Sequence, residues 1–161
     1  MNSLFRVALC AIMFGSLSLF SNLALGAETK GANMTLTVAD NGACAMTQQE
    51  KDGILKAIGY YLQAAPDGTR KTAEKAFAKT ATMSWSADGK LNSVPIEELY
   101  KYFDEKKRPA SGEISACSVA GDVAIVRLES DFDGAKFADM FTLVKDGDDW
   151  KIVSKVYHLK N

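Results

Sequence analysis

Two side chains in this sequence could carry acid–base chemistry, Asp139 and His158. The chain has one histidine, and a carboxylate beside an imidazole can relay a proton near neutral pH. Both lie in the closing stretch FADMFTLVKDGDDWKIVSKVYH, residues 137–158. Three aromatic residues, Tyr61, Trp85 and Tyr100, have the size and polar tips to line a ligand pocket beside them. Cys44 and Cys117 could form a disulfide, or Cys117 could serve as a small buried hydrophobe. Two cysteines and one histidine make no metal site of recognisable spacing. Nucleophile-elbow, phosphate-loop and dinucleotide fingerprints are missing, so no cofactor is expected.

The pairing of Asp139 with His158 depends on a hairpin. Gly147-Asp148 is a two-residue turn signal between alternating segments. Counting outward, Leu143 faces Ile152, Phe141 faces Ser154, Asp139 faces Val156 and Phe137 faces His158. One face then carries Phe137, Asp139, Phe141, Leu143, Trp150, Ile152, Ser154, Val156 and His158, and is expected to be covered. Lys151, Val153, Lys155 and Tyr157 fall on the other face. In this register Asp139 and His158 are diagonal neighbours, within reach of each other at the open end of a pocket. A one-residue slip would instead pair Asp139 with Lys155. A covered carboxylate needs a partner, and a structural pair with Lys155 or with a helix residue competes with the acid–base reading. For His158 the competing reading is a half-solvated strand end.

The chain begins MNSLFRVALCAIMFGSLSLFSNLALGA, with Arg6, an apolar run from Val7 to Phe20 and small residues after it. This is the pattern of a secretory signal peptide over residues 1–27, too short for a transmembrane helix. The expected location is periplasmic or secreted. Removing it takes away Arg6 and leaves a net charge of −2, which argues against nucleic acid and an anionic membrane surface as partners. Residues 28–46 read as a leader, with a short strand over Met34–Val38 as one option.

A single domain is expected over residues 47–161. Thr47 and Glu50 form a capping box, and Ile54, Leu55, Ile58, Tyr61 and Leu62 form one helical stripe ending before Pro66. A second helix spans about Thr69–Ala78. A short hairpin turns at Asp88-Gly89. Ser93 caps a third helix with Pro95 in its first turn and a stripe of Ile96, Leu99, Tyr100 and Phe103. Four strands follow, joined by Gly121-Asp122, Asp133-Gly134 and Gly147-Asp148, an antiparallel meander. In it Phe141 faces Val126, Asp139 faces Leu128, and Val126 faces Cys117. Arg127, Glu129 and Asp131 fall outside. Helices first and a meander after make an α+β class: a cone-shaped roll, three N-terminal helices packed on a curved, mainly antiparallel sheet.

That order of elements resembles the nuclear transport factor 2-like (ketosteroid isomerase-like) superfamily. The segments Gly121–Val126, Phe137–Leu143 and Trp150–His158 resemble its putative lumazine-binding subfamily, over roughly Gln48–His158. The resemblance implies a cone with an internal cavity. Members with acid–base chemistry place carboxylates or a histidine inside it, and here the positions that could do so are Asp139 and His158.

Two functions are therefore open. One is an exported module whose apolar pocket binds a small molecule through Tyr61, Trp85, Tyr100, Asp139 and His158. The other is a small isomerase, dehydratase or hydrolase with Asp139 and His158 as the catalytic pair. A homodimer through the sheet's outer face, using Val123, Ile125, Val153 and Tyr157, is compatible with either.

Overall fold

A computed structural model of the chain describes residues 29–31, 34–39 and 45–160. The expected signal peptide, much of the leader and Cys44 lie outside the described residues.

Helix α1 covers Gln48–Asp67. Its start follows the capping box: the Glu50 amide donates to Thr47 Oγ1 at 3.3 Å, and the Thr47 amide donates to Glu50 Oε2 at 2.6 Å. The helix continues through Pro66 to Asp67, two residues beyond the expected stop, and ends where Gly68 turns left-handed at φ 62°. Gly supplies that conformation without a Cβ clash. Ile54, Leu55, Ile58, Tyr61 and Leu62 are all buried. Each such side chain contributes about 1.5–3 kcal/mol by leaving water. Helix α2, Arg70–Ala76, follows at once, with Thr69 Oγ1 accepting from the Lys71 amide.

The third helix is the element that differs most from expectation. Helix α3 is a single turn, Glu97–Tyr100, because Ser93 and Pro95 belong to a strand. Strands β3 (Phe77–Ala87) and β4 (Lys90–Pro95) form a hairpin whose ladder reaches Ser84↔Ser93 and Thr82↔Pro95. The Ser84 hydroxyl donates to Ser93 Oγ at 2.9 Å, so Ser93 bonds across the hairpin instead of capping a helix. Pro95 ends an edge strand, where a missing N–H costs little. Ile96, Leu99, Tyr100 and Phe103 are nonetheless buried as their spacing requires.

The remaining strands are β1 (Thr29–Gly31), β2 (Met34–Val38), β5 (Ala110–Ala120), β6 (Val123–Phe132), β7 (Ala135–Asp146) and β8 (Asp149–Leu159). Among the described residues the strands make one eight-stranded sheet in the order β1-β2-β5-β6-β7-β8-β3-β4. The β5–β8 meander is antiparallel; β2 joins β5, and β3 joins β8, in parallel. Helix α1 lies across β8, β5 and β2 and covers the inner face. The fold is the expected α+β cone, with its core between α1 and the curved sheet.

Register decides what that core contains. Phe141↔Val126, Asp139↔Leu128 and Cys117↔Val126 pair as expected. Leu143↔Ile152 also pairs as expected, but the next pair is Thr142↔Ser154. Val153 is thus an extra residue, a β-bulge, and every residue of β8 beyond it changes face relative to a regular ladder. Phe141 now pairs with Lys155, Asp139 with Tyr157, and Ala138 with His158. Lys155 and Tyr157 turn inward, while Val156 and His158 turn out. The expected face assignment of Ser154–His158 is therefore reversed, because a turn fixes register only as far as the first bulge.

Candidate functional site

The site is built from the middle of the sheet. Asp139 on β7 is fully buried and Lys155 on β8 is 3% exposed. Lys155 Nζ donates to Asp139 Oδ1. The Ser130 hydroxyl, on β6, donates to Asp139 Oδ2 at 2.7 Å. Three adjacent strands thus each supply one polar group to a single buried cluster.

Aromatic rings enclose it. Lys155 Nζ lies 4.5 Å from the centroid of Tyr157, 5.4 Å from Tyr61, 5.6 Å from Phe141 and 5.9 Å from Phe137. These are cation–π distances. Tyr61 also meets Phe77, Phe132 and Phe141 edge-on at 5.3–5.8 Å. Tyr157 stacks on Trp85, with ring centroids 5.7 Å apart, and meets Phe137 edge-on at 5.8 Å. Trp85, Phe132, Phe137 and Tyr157 are half-buried. They are the rings of this group that keep some exposure, whereas Tyr61, Phe77 and Phe141 are buried.

The electrostatics follow from this burial. Desolvation pushes the Lys155 ammonium below the ordinary lysine range, and the Asp139 carboxylate opposes that shift. Burial pushes the Tyr61 phenol well above its usual value, and the nearby Asp139 charge adds to it. Burial also raises Tyr157. The arrangement offers an amine, a carboxylate and two protonated phenols in an apolar wall.

Of the residues expected to form a site, Tyr61 and Asp139 come together around Lys155, and Trp85 joins them through its stack on Tyr157. Tyr100 sits farther off, edge-on to Phe77 at 6.3 Å and beneath the Arg70 guanidinium at 5.3 Å. His158 does not join them: it is exposed on the outer face, opposite Ala138. The expected convergence of His158 with Asp139 is therefore replaced by the competing pair, Asp139 with Lys155. Ser130 and Tyr157 were not anticipated as part of the site. Ser130 alternates inward with Leu128 and Val126, which was the available signal; Tyr157 was hidden by the bulge. Cys117 is half-buried and disulfide-bonded; Cys44, the partner expected for it, lies outside the described residues.

A concavity of about 310 Å³ is lined by Thr35, Thr37, Glu113, Glu129, Ser130, Asp131 and Lys160 among others. Ser130 is the member of the buried cluster that lines it, and Tyr61, Trp85, Tyr100, Asp139 and His158 do not.

Comparison with known proteins gives a consistent picture. The sequence profile of the family described as putative lumazine-binding matches residues 49–158. An NTF2-like protein of unknown function from Methylobacillus flagellatus is 33% identical, with a TM-score of 0.63, covering 72% of this chain and 96% of its own. Another, from Shewanella baltica, is 28% identical with a TM-score of 0.66, covering 73% of this chain and 99% of its own. The aldolase FrzH of a Cladobotryum species is 23% identical over 117 residues, 70% of this chain and 94% of that protein.

Proposed function

We propose that this chain, which belongs to the putative lumazine-binding family and with it to the nuclear transport factor 2-like superfamily, is a small-molecule-binding module. Its ligand is small, flat and largely apolar, seated among Trp85, Tyr157, Phe137 and Tyr61, with a polar end that meets the Ser130–Asp139–Lys155 cluster. The observation that carries this reading is the buried cluster itself. A paired carboxylate and ammonium gain little stability over an apolar core of the same volume. Placed beneath half-exposed rings, they supply what a specific pocket needs, a few fixed polar groups in an apolar wall.

Native mass spectrometry of the purified protein tests it, by finding a bound species that leaves on denaturation. Titration with lumazine, a flat heteroaromatic, should quench tryptophan fluorescence, and Trp85→Ala should weaken that response. A protein of bare mass that shows no quench with lumazine or another flat heteroaromatic would overturn the reading.

The similarity to an aldolase favours one further reading, that the pocket also does chemistry. On that reading Lys155 and Asp139 would be the acid–base pair, since His158 faces away from Asp139. We also read the chain as exported, to the periplasm or beyond. The disulfide at Cys117 supports this, since such bonds persist in oxidising compartments; N-terminal sequencing of exported material that found Met1 would refute it. A homodimer through the outer face remains part of the reading. Val123 and Ile125 are exposed there with Met140 and Val156, whereas Tyr157, expected on that face, turns inward. Light scattering at increasing protein concentration tests it.

A further inference from the structure

We infer that Lys155 is an imine-forming amine, and that the interior site takes an aldehyde or ketone on an apolar, aromatic-sized body. This rests on the reading of the interior as a ligand site and names the reactive group within it.

Among the described residues Lys155 is the buried lysine. The ammonium groups of Lys56, Lys101 and Lys160 pair with carboxylates at the surface, and that of Lys151 donates to the Lys75 carbonyl. Among the residues whose burial is described, Lys155 alone combines an apolar enclosure with a carboxylate in direct contact. An apolar enclosure is the setting that makes a lysine nucleophilic, because it disfavours the ammonium form. The contact with Asp139 gives the departing proton somewhere to go. The Ser130 hydroxyl on Oδ2 leaves Oδ1 facing the amine. The four rings around Nζ favour a flat, apolar body on the carbonyl compound over a charged one.

The steps balance without an oxidant. The Lys155 ammonium gives one proton to Asp139 and becomes an amine. Its lone pair attacks the carbonyl carbon; a C–N bond forms and the carbonyl π pair moves to oxygen. One proton then passes from nitrogen to that oxygen. The resulting hydroxyl leaves as water with a proton from Asp139, and a C=N bond closes as a protonated imine. One carbonyl compound and one ammonium give one iminium and one water, and Asp139 ends as the carboxylate it began as.

The test uses the full chain, benzaldehyde and sodium cyanoborohydride near neutral pH, with peptide mapping of the trapped benzylamine. Expected is a single adduct at Lys155 well ahead of any surface lysine. Asp139→Asn should slow that adduct on the order of a hundredfold while surface labelling stays unchanged. Benzylation confined to surface lysines, or of Lys155 only after unfolding, overturns the inference. Mapping of the wild-type protein decides the matter even if Asp139→Asn fails to fold. Benzaldehyde without the reductant reports binding separately, through tryptophan fluorescence. Quenching with no adduct removes the imine and leaves the binding reading standing; neither quenching nor adduct removes both.

Discussion

Lys155 reaches Asp139 diagonally across β7 and β8: the backbone partner of Lys155 is Phe141, and that of Asp139 is Tyr157. The bulge at Val153 places the two on the same inner face, where the pair is almost wholly enclosed. Removing one partner leaves the other charge without compensation. Lys155→Met or Asp139→Leu should each destabilise the protein by about 3–5 kcal/mol. The double variant should recover most of that loss, because two apolar side chains satisfy the same volume. Urea unfolding of the four proteins closes the cycle; equal losses that simply add would mean the two residues do not interact.

His158 offers the opposite expectation. It is exposed and faces away from the cluster, so His158→Gln should change stability by less than about 0.5 kcal/mol. Lumazine quenching and benzaldehyde trapping should also match the wild type. A clear loss of either would return His158 to the site and place the open end of the pocket elsewhere.

How much of this could be read in the sequence divides at Val153. The capping box, the Ile54–Leu62 stripe and the pairings Val126↔Phe141 and Leu128↔Asp139 were all legible. Period and turn chemistry determine such features locally. A bulge has no comparable signature, since Val153 suits a regular strand as well as a bulged one. One uncounted residue turned His158 out and brought Lys155 in. The requirement that a covered carboxylate find a partner offered Lys155 or a helix residue, so electrostatics kept open the partner that periodicity placed on the wrong face. The third helix failed for a related reason. Ser93 followed by Pro95 satisfies a helix start and an edge-strand end equally, and the β3–β4 ladder decided between them.

Gly53 sits on α1 against the Trp150 ring. A Cβ there would lie 2.4 Å from Trp150 Cδ1 and 3.0 Å from Nε1. Alanine favours helix by about 1 kcal/mol over glycine, but Trp150 is buried against the core and the helix or the ring must shift. Overpacking of this kind costs about 1–3 kcal/mol, so Gly53→Ala should be destabilising on balance. Thermal unfolding measures the sign, and tryptophan emission should report an altered Trp150 environment. A stabilised Gly53→Ala would show that the contact yields freely.

Tyr100 makes an alkaline prediction. Burial raises its phenol from 10.0 to about 12, and the nearby Glu74 and Glu97 charges add to this while Arg70 opposes it. Because the folded value lies above the unfolded one, the folded chain holds this proton where the unfolded chain has lost it. The resulting stabilisation is complete below pH 10.0, declines as pH rises from there towards about 12, and is gone above it. Tyr61 and Tyr157 are raised as well, so wild type alone would blend three phenols. The comparison with Tyr100→Phe isolates one of them. The stability advantage of the wild type over that variant should be constant up to pH 10.0 and shrink above it. In parallel, the ultraviolet titration of the wild type should contain one phenolate step near pH 12 that Tyr100→Phe lacks. If the missing step instead lies near pH 10.0, the ring is solvated in solution. The packing of Tyr100 between Phe77 and Arg70 would then be wrong.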